Sequence, residues 1–261
     1  MMDSHIHIEK DPYTIEWMNE YVKYAKQRGI TEIHLLEHTH RFTEWMPLYE
    51  PARKKDPLAK KWVDDHRTIP FKDYTNFVKE AKNYDFDITV KFGLEVCYFK
   101  EKEEFIKDML KDSGLDFAIG SVHYVFDVPY DIKGISEQML WDKYPINDIY
   151  LDYYQRCVDC VESGLFCQLG HPDTIKMFED YKPTINLIPL YEKLAKSLVK
   201  CGVKGENNVG CYYRYGNKDK GLSDEILSVF LKNGVEIITA SDAHKPSDVG
   251  RYIADVHNKT L

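Results

Sequence analysis

The chain lacks the features that would take it into a membrane, onto a nucleic acid or into an oxidising compartment. No apolar run in its 261 residues is long enough to cross a bilayer. The sequence goes straight into Asp3 and His5, leaving no room for a basic segment followed by an apolar one, so a soluble cytoplasmic protein is expected. Basic charge is in short supply, with 35 Lys and Arg against 43 Asp and Glu and a formal net charge of −8. Affinity for a nucleic-acid backbone comes mainly from Lys and Arg neutralising phosphates, so no nucleic-acid partner is expected, although a local basic pocket is compatible with this balance. The six cysteines contain one C-x-x-C spacing, Cys157 to Cys160, and no second pair that would complete a zinc ribbon. It falls in a predicted helix from Asp148 to Ser163, so buried thiols are expected rather than a disulfide framework. Low-complexity tracts and internal repeats are missing too. A chain of this length suits one large α/β barrel domain over 1–261.

What is there is a recurring arrangement. In Met2-Asp3-Ser4-His5-Ile6-His7-Ile8, Asp3, His5 and His7 repeat with period two. Alternate side chains of a strand share a face, so His5 and His7 can bind one cation while Asp3 sits below them as an orienting carboxylate. Similar β-like runs each end in a His or a carboxylate: 31–37 in His38, 88–94 in Glu95, 117–122 in His123, 165–170 in His171, and 235–240 in Ser241-Asp242-Ala243-His244. Ligands carried on successive strand ends of one barrel would look like this.

Between these runs lie helical patterns. Asp11-Pro12 reads as an N-cap followed by Pro at the first helical position, with Ile15, Met18, Val22 and Ala25 as the apolar stripe and Gly29 after the end. Further helices are predicted over 71–84, 102–111 and 188–200, and after Ser223 as N-cap. The last strands are predicted over 203–208 and 235–240, so seven strands alternate with helices and a parallel sheet follows. Two stretches near 41–71 and 124–142 follow ligand-bearing strand ends directly, and both are expected as lid-like insertions on the rim of the site. His34, three residues before the end of its strand, reads as structural, His66 as a solvated loop residue and His257 as incidental.

Six strand-end histidines and two carboxylates exceed the needs of one tetrahedral ion. Imidazole and carboxylate without thiolate suit zinc, manganese or iron. A multinuclear centre lowers the pKa of a shared water and clamps phosphoester oxygens, so metal-dependent hydrolysis is the expected reaction class.

Taken together, Asp3-Ser4-His5-Ile6-His7, Glu37-His38, Gly93-Leu94-Glu95-Val96, Ser121-Val122-His123, Gly170-His171-Pro172-Asp173 and Ser241-Asp242-Ala243-His244 resemble the polymerase-and-histidinol-phosphatase (PHP) superfamily over nearly the whole chain. Within it, Glu37-His38-Thr39-His40-Arg41-Phe42 and the stretch from Asn207 to Arg214 are similar to those of stand-alone histidinol-phosphatases. The resemblance implies a distorted (β/α)7 TIM-like barrel with two or three divalent ions (zinc, manganese or iron) at the C-terminal end of the strands. It implies His5, His7, Glu95 and Asp242 around one ion, Glu95, His123 and His171 around a second, and His38 and His244 around a third. Where many relatives carry a further His after the first motif, this chain offers only Glu9 and Asp11, so a carboxylate or water is expected at the third ion. Cys97 stands where relatives have an acidic residue and reads as a packed thiol.

The reaction so implied is hydrolysis of a small phosphorylated substrate, L-histidinol phosphate, by a metal-bridging hydroxide attacking phosphorus. Arg41 and Arg214 are the candidates for bidentate phosphate binding, Asn208 for pocket lining, and His40 or Asp173 for protonating the leaving alkoxide. The alternatives are a phosphatase of the same superfamily for a sugar phosphate, nucleotide or phosphotyrosine, or a metal-binding regulatory protein with weak turnover. An exonuclease is disfavoured by the acidic charge and the lack of a basic groove.

Overall fold

The computed structural model describes residues 1–9, 13–66, 68–259. Seven parallel strands form the central sheet: β1 Met2–His7, β2 Glu32–His38, β3 Thr89–Cys97, β4 Phe117–Ser121, β7 Gln168–Leu169, β8 Lys204–Asn208 and β9 Ile237–Ala240. Their order, β1-β2-β3-β4-β7-β8-β9, is the order in sequence. The sheet all but closes on itself beyond the strand ends. Ile6 bridges Ala243 in parallel, His7 N–H donates to Ala243 O at 2.7 Å, and Asp242 N–H donates to His5 O at 2.9 Å. The result is a nearly closed, TIM-like α/β barrel. A parallel sheet is covered on both faces, and residues 3–7 of β1 are accordingly all buried, histidines included.

The helices cover the outside because each carries one apolar face. The first, Ile15–Gln27, buries Met18, Tyr21, Val22 and Ala25. Thr14 caps it, its hydroxyl accepting from Trp17 N–H at 3.1 Å. The predicted cap and proline, Asp11 and Pro12, lie outside the described residues. Most other helices fall within a few residues of the prediction: Phe71–Ala81, Glu103–Lys111, Ile146–Glu162, Ile188–Cys201 and Asp224–Asn233. Ser223 precedes the last of these as expected, yet its hydroxyl accepts from Lys176 Nζ at 2.6 Å rather than capping the helix.

Strands differ more. The fifth barrel strand is only Gln168–Leu169, and Leu165 and Phe166 precede the ladder. The stretch after His38, expected as an insertion without regular structure, consists of short helices over Thr39–Arg41, Thr43–Tyr49, Glu50–Lys55 and Pro57–His66. Trp45, Leu48, Tyr49, Ala52, Ala59 and Val63 are buried there, so closely spaced apolar anchors fold it turn by turn. The second insertion contains a two-stranded antiparallel ribbon, β5 Tyr124–Val125 with β6 Val128–Pro129, and a π-helical turn at Glu137–Trp141. His66 therefore ends a helix, stacked on Trp62, and is exposed as expected. His34 points to the opposite end of the barrel from the strand-end cluster and pairs with Glu32 at 2.8 Å, a structural role. All six cysteines are free thiols. No helix among the described residues is long and apolar enough to cross a membrane.

Candidate metal centre

The C-terminal strand ends bring the expected histidines and carboxylates to one place. His5 and His7 on β1 face each other through their Nε2 atoms at 2.9 Å. Around them stand Glu95 at the end of β3 and Asp242 just beyond β9: His7 Nε2 lies 3.6 Å from Glu95 Oε2 and 3.3 Å from Asp242 Oδ1. Glu95 Oε1 also meets His171 Nε2 at 2.9 Å and His123 Nε2 at 3.3 Å, while Glu95 Oε2 meets His38 Nδ1 at 2.6 Å. His244 completes the rim, with Nε2 3.3 Å from Glu9 Oε1.

These atoms form three overlapping groups of metal-ligand spacing: His5, His7 and Glu95; Glu95, His123 and His171; and His7, Glu9, His38 and His244. Seven of the eight expected ligand residues fall in these groups. Three details depart from the expected sets: His7 reaches the third group as well as the first, Glu9 joins the third, and Asp242, expected at the first ion, belongs to none of the three although its Oδ1 lies 3.3 Å from His7 Nε2. Glu9, His171 and Asp242 have positive φ values of 50°, 27° and 55°. For non-glycine residues such backbone costs roughly 1 to 3 kcal/mol each and persists where the surroundings hold it, commonly at functional sites.

The donor set fits divalent cations. The Nδ1 of His5 is bound to Glu206 Oε1 at 2.8 Å, which fixes the proton there and turns the Nε2 lone pair inward. Two imidazole nitrogens converging at 2.9 Å with carboxylates around them leave acceptors facing acceptors, an arrangement that a cation satisfies. Among the described residues the buried Nδ1 atoms of His7 and of His171 have no hydrogen-bond partner. Burial alone would raise the pKa of Glu95, but His123, His38 and His5 hold it well below the usual carboxylate range. Asp242 behaves likewise, burial being outweighed by Arg214, His7 and His244. The carboxylates therefore stay ionised, the form in which they bind a cation.

Sequence reasoning assigned Asp3 the orienting role that Glu206 fills. Asp3 is buried and its carboxylate accepts from Ser241 N–H and Gly250 N–H, both at 2.8 Å, stapling β1 to the chain beyond β9. Glu206, on β8, is fully buried and accepts from His5 Nδ1, Gln168 Nε2, His171 N–H and Asn208 Nδ2. Burial raises its pKa, yet His5 and His171 draw it below the ordinary value. Its position two residues before Asn208 on an inward-facing strand was the available signal.

The other candidates divide. Arg214 lines the pocket above the cluster, its Nη1 3.3 Å from Asp242 Oδ2. His40 lines the same pocket, stacked 4.7 Å from His38, and burial with His38 and His123 beside it holds it neutral. Asn208 spends its amide on Glu206 and on Gly210 N–H at 2.8 Å. Asp173 faces a neighbouring cleft, where Lys176 Nζ, Ser223 N–H and Tyr154 Oη contact its carboxylate. Arg41 turns to Glu37, with Nη1 at 2.8 and 2.9 Å from its two oxygens. Cys97 is buried with Sγ 3.0 Å from His123 Nδ1, beside the cluster. The pocket measures about 280 Å³ and is walled by both insertions, through Trp62 from the first and Tyr124, Asp131, Ile132 and Lys133 from the second. Asp131, 4.0 Å from His123 Nε2, escaped the sequence reading because nothing in its spacing distinguishes it from a loop acid.

Comparison with known proteins places this geometry. A model described as "PHP domain" matches residues 3–206. A protein of Deinococcus radiodurans named probable histidinol-phosphatase is 25% identical over 264 residues, covering 98% of this chain and 90% of the relative. Among solved structures, one from Listeria monocytogenes, described as a candidate histidinol phosphatase, superposes with a TM-score of 0.77 at 17% identity, covering 98% of this chain and 99% of the other. The histidinol phosphate phosphatase of Lactococcus lactis, solved with zinc, L-histidinol and phosphate, superposes with a TM-score of 0.67 at 17% identity, covering 99% and 92%.

Proposed function

Because the chain belongs to the PHP-domain family, we propose that it is a metal-dependent phosphomonoesterase whose substrate is L-histidinol phosphate, cleaved to L-histidinol and phosphate. The observation that carries this reading is the set of three overlapping ligand groups, joined through Glu95 and His7, at the floor of a pocket with Arg214 on its wall. Divalent ions bound there would supply Lewis acidity toward the phosphoryl oxygens and lower the pKa of a water.

The chain's own residues supply the rest. Glu206 holds His5 in one tautomer and fixes the backbone of His171. Arg214, anchored against Asp242, presents a guanidinium to the phosphoryl oxygens, where a charge-assisted bond is stronger than a neutral one. His40, held neutral, can hydrogen-bond the leaving oxygen through an N–H, and the alkoxide takes its proton from water. The small pocket admits a small molecule and not a polymer, and Asp131 offers a carboxylate to the ammonium of histidinol. The insertions act as lids by closing this pocket over the substrate.

The test is phosphate release from L-histidinol phosphate after chelation and re-addition of zinc, manganese or iron(II), with a sugar phosphate and phosphotyrosine alongside. Metal-restored turnover selective for histidinol phosphate is expected; equal, feeble turnover on every ester would overturn the substrate assignment. In the same assay Arg214→Ala should raise KM roughly 10- to 100-fold, as befits a lost hydrogen bond to a charged group. Metal content should stay unchanged. An unaltered KM would remove Arg214 from the phosphate site.

A further inference from the structure

On the reading that the chain cleaves phosphomonoesters, we propose that Met177 and Cys211 form a partition that limits the size of the alcohol it accepts, and that the cleft behind them is a closed-off subsite for bulkier, aryl-bearing phosphoesters. The cleft that Asp173 faces measures about 450 Å³, against about 280 Å³ for the pocket above the metal-ligand cluster. Among the described residues, Met177 and Cys211 are the two that line both cavities. They stand between the two spaces.

Local structure holds them there. Met177 ends the turn Thr174–Met177 and is buried, and half-buried Cys211 lies in the short helix Gly210–Tyr215, which also carries Arg214. Asn217 ties the two together: its Nδ2 donates to Met177 O at 3.2 Å, and its backbone N–H donates to Cys211 O at 3.3 Å. Behind the turn, Lys176 Nζ meets Asp173 Oδ1 at 2.9 Å and Ser223 Oγ at 2.6 Å. The backbone of the partition is thus fixed, and the two side chains decide whether the cavities communicate. One of them is an unbranched thioether, the most adaptable of apolar side chains.

The lining of the cleft sets the class of ligand. Tyr150, Phe178, Ile185 and Leu187 give it an apolar wall suited to an aromatic ring. Asn217 Oδ1, buried and without a hydrogen-bond partner, offers an acceptor to an N–H or O–H on such a ligand. With the partition in place this space is withheld, so compact alcohols are released and bulky ones excluded. A pocket boundary discriminates by roughly 10- to 200-fold per methylene.

Binding and turnover together test this. Zinc-loaded wild type, Met177→Ala, Met177→Leu and Cys211→Ala are titrated calorimetrically with methylphosphonate and with a naphthylmethylphosphonate, neither of which can be hydrolysed, and assayed on L-histidinol phosphate and naphthyl phosphate. Relative to methylphosphonate, Met177→Ala should bind the naphthyl compound at least about tenfold more tightly than wild type does, with a matching gain in kcat/KM for naphthyl phosphate over histidinol phosphate. Met177→Leu, which conserves volume, should retain the wild-type preference. Cys211→Ala carries the expectation of Met177→Ala to a smaller degree and decides the question if Met177→Ala does not fold. Unchanged relative affinities in the alanine variants would overturn the proposal. Tighter naphthyl binding in a protein that cleaves neither ester would uphold the partition while removing the assigned reaction.

Discussion

Replacing Glu95 with glutamine is expected to lower kcat for histidinol phosphate by roughly 10³-fold or more, about 4 kcal/mol of transition-state stabilisation. The size follows from position. Glu95 lies within reach of His5, His7, His38, His123 and His171, and two of the three ligand groups include it. Its two oxygens are directed at different groups, so an amide, which has only one good acceptor, cannot serve both. Metal content should fall with activity. A Glu95→Gln enzyme within tenfold of wild type would show that the clusters act independently of the carboxylate between them.

Glu206→Ala should produce the largest loss of stability. The four donors that converge on this buried carboxylate come from β1, β7, the turn after β7 and β8, and only Gln168 Nε2 has another acceptor, on Ser4, so its removal breaks the network at several elements at once. Breaking a buried charged network by deleting one partner costs about 3 to 5 kcal/mol, which lowers Tm by roughly 10 °C in a chain of this size. His5 would lose the bond that fixes its tautomer, and metal affinity should drop about 10- to 100-fold. Thermal unfolding and metal titration measure the two effects separately. A variant that keeps wild-type Tm and affinity would reduce Glu206 to a bystander.

Much of this cluster was legible in the sequence because barrel strands leave local patterns: a short apolar run precedes His38, Glu95, His123, His171 and the Ser241-Asp242-Ala243-His244 segment, and His5 and His7 repeat with period two within β1. The structure brings these eight side chains together. Residues that act through others follow no such rule. Glu206 sits in Lys-Gly-Glu-Asn-Asn, which reads as polar surface until the strand is known to face inward. Asp3 and Glu206 are both carboxylates near His5, and only the tertiary path decides which one reaches its Nδ1. Arg41 and Asp173 stand beside the motifs yet turn toward Glu37 and Lys176, because a neighbouring position in sequence does not set side-chain direction. The helices between residues 39 and 66 were missed because three of the four span seven residues or fewer and the fourth, Pro57–His66, lies in a stretch rich in Pro, Lys and Asp.

The seam where Ile6 meets Ala243 joins residues that are far apart in the chain: Ser241 N–H reaches back 238 positions to Asp3. His5 and His7 lie on one side of that seam, Asp242 and His244 on the other. On the ribosome, then, the two histidines emerge long before their partners across the seam. A nascent chain can hold metal there only loosely until β9 arrives. Closure of the barrel and assembly of the ligand cluster are one event, so a chain that stops short of β9 lacks both Asp242 and His244.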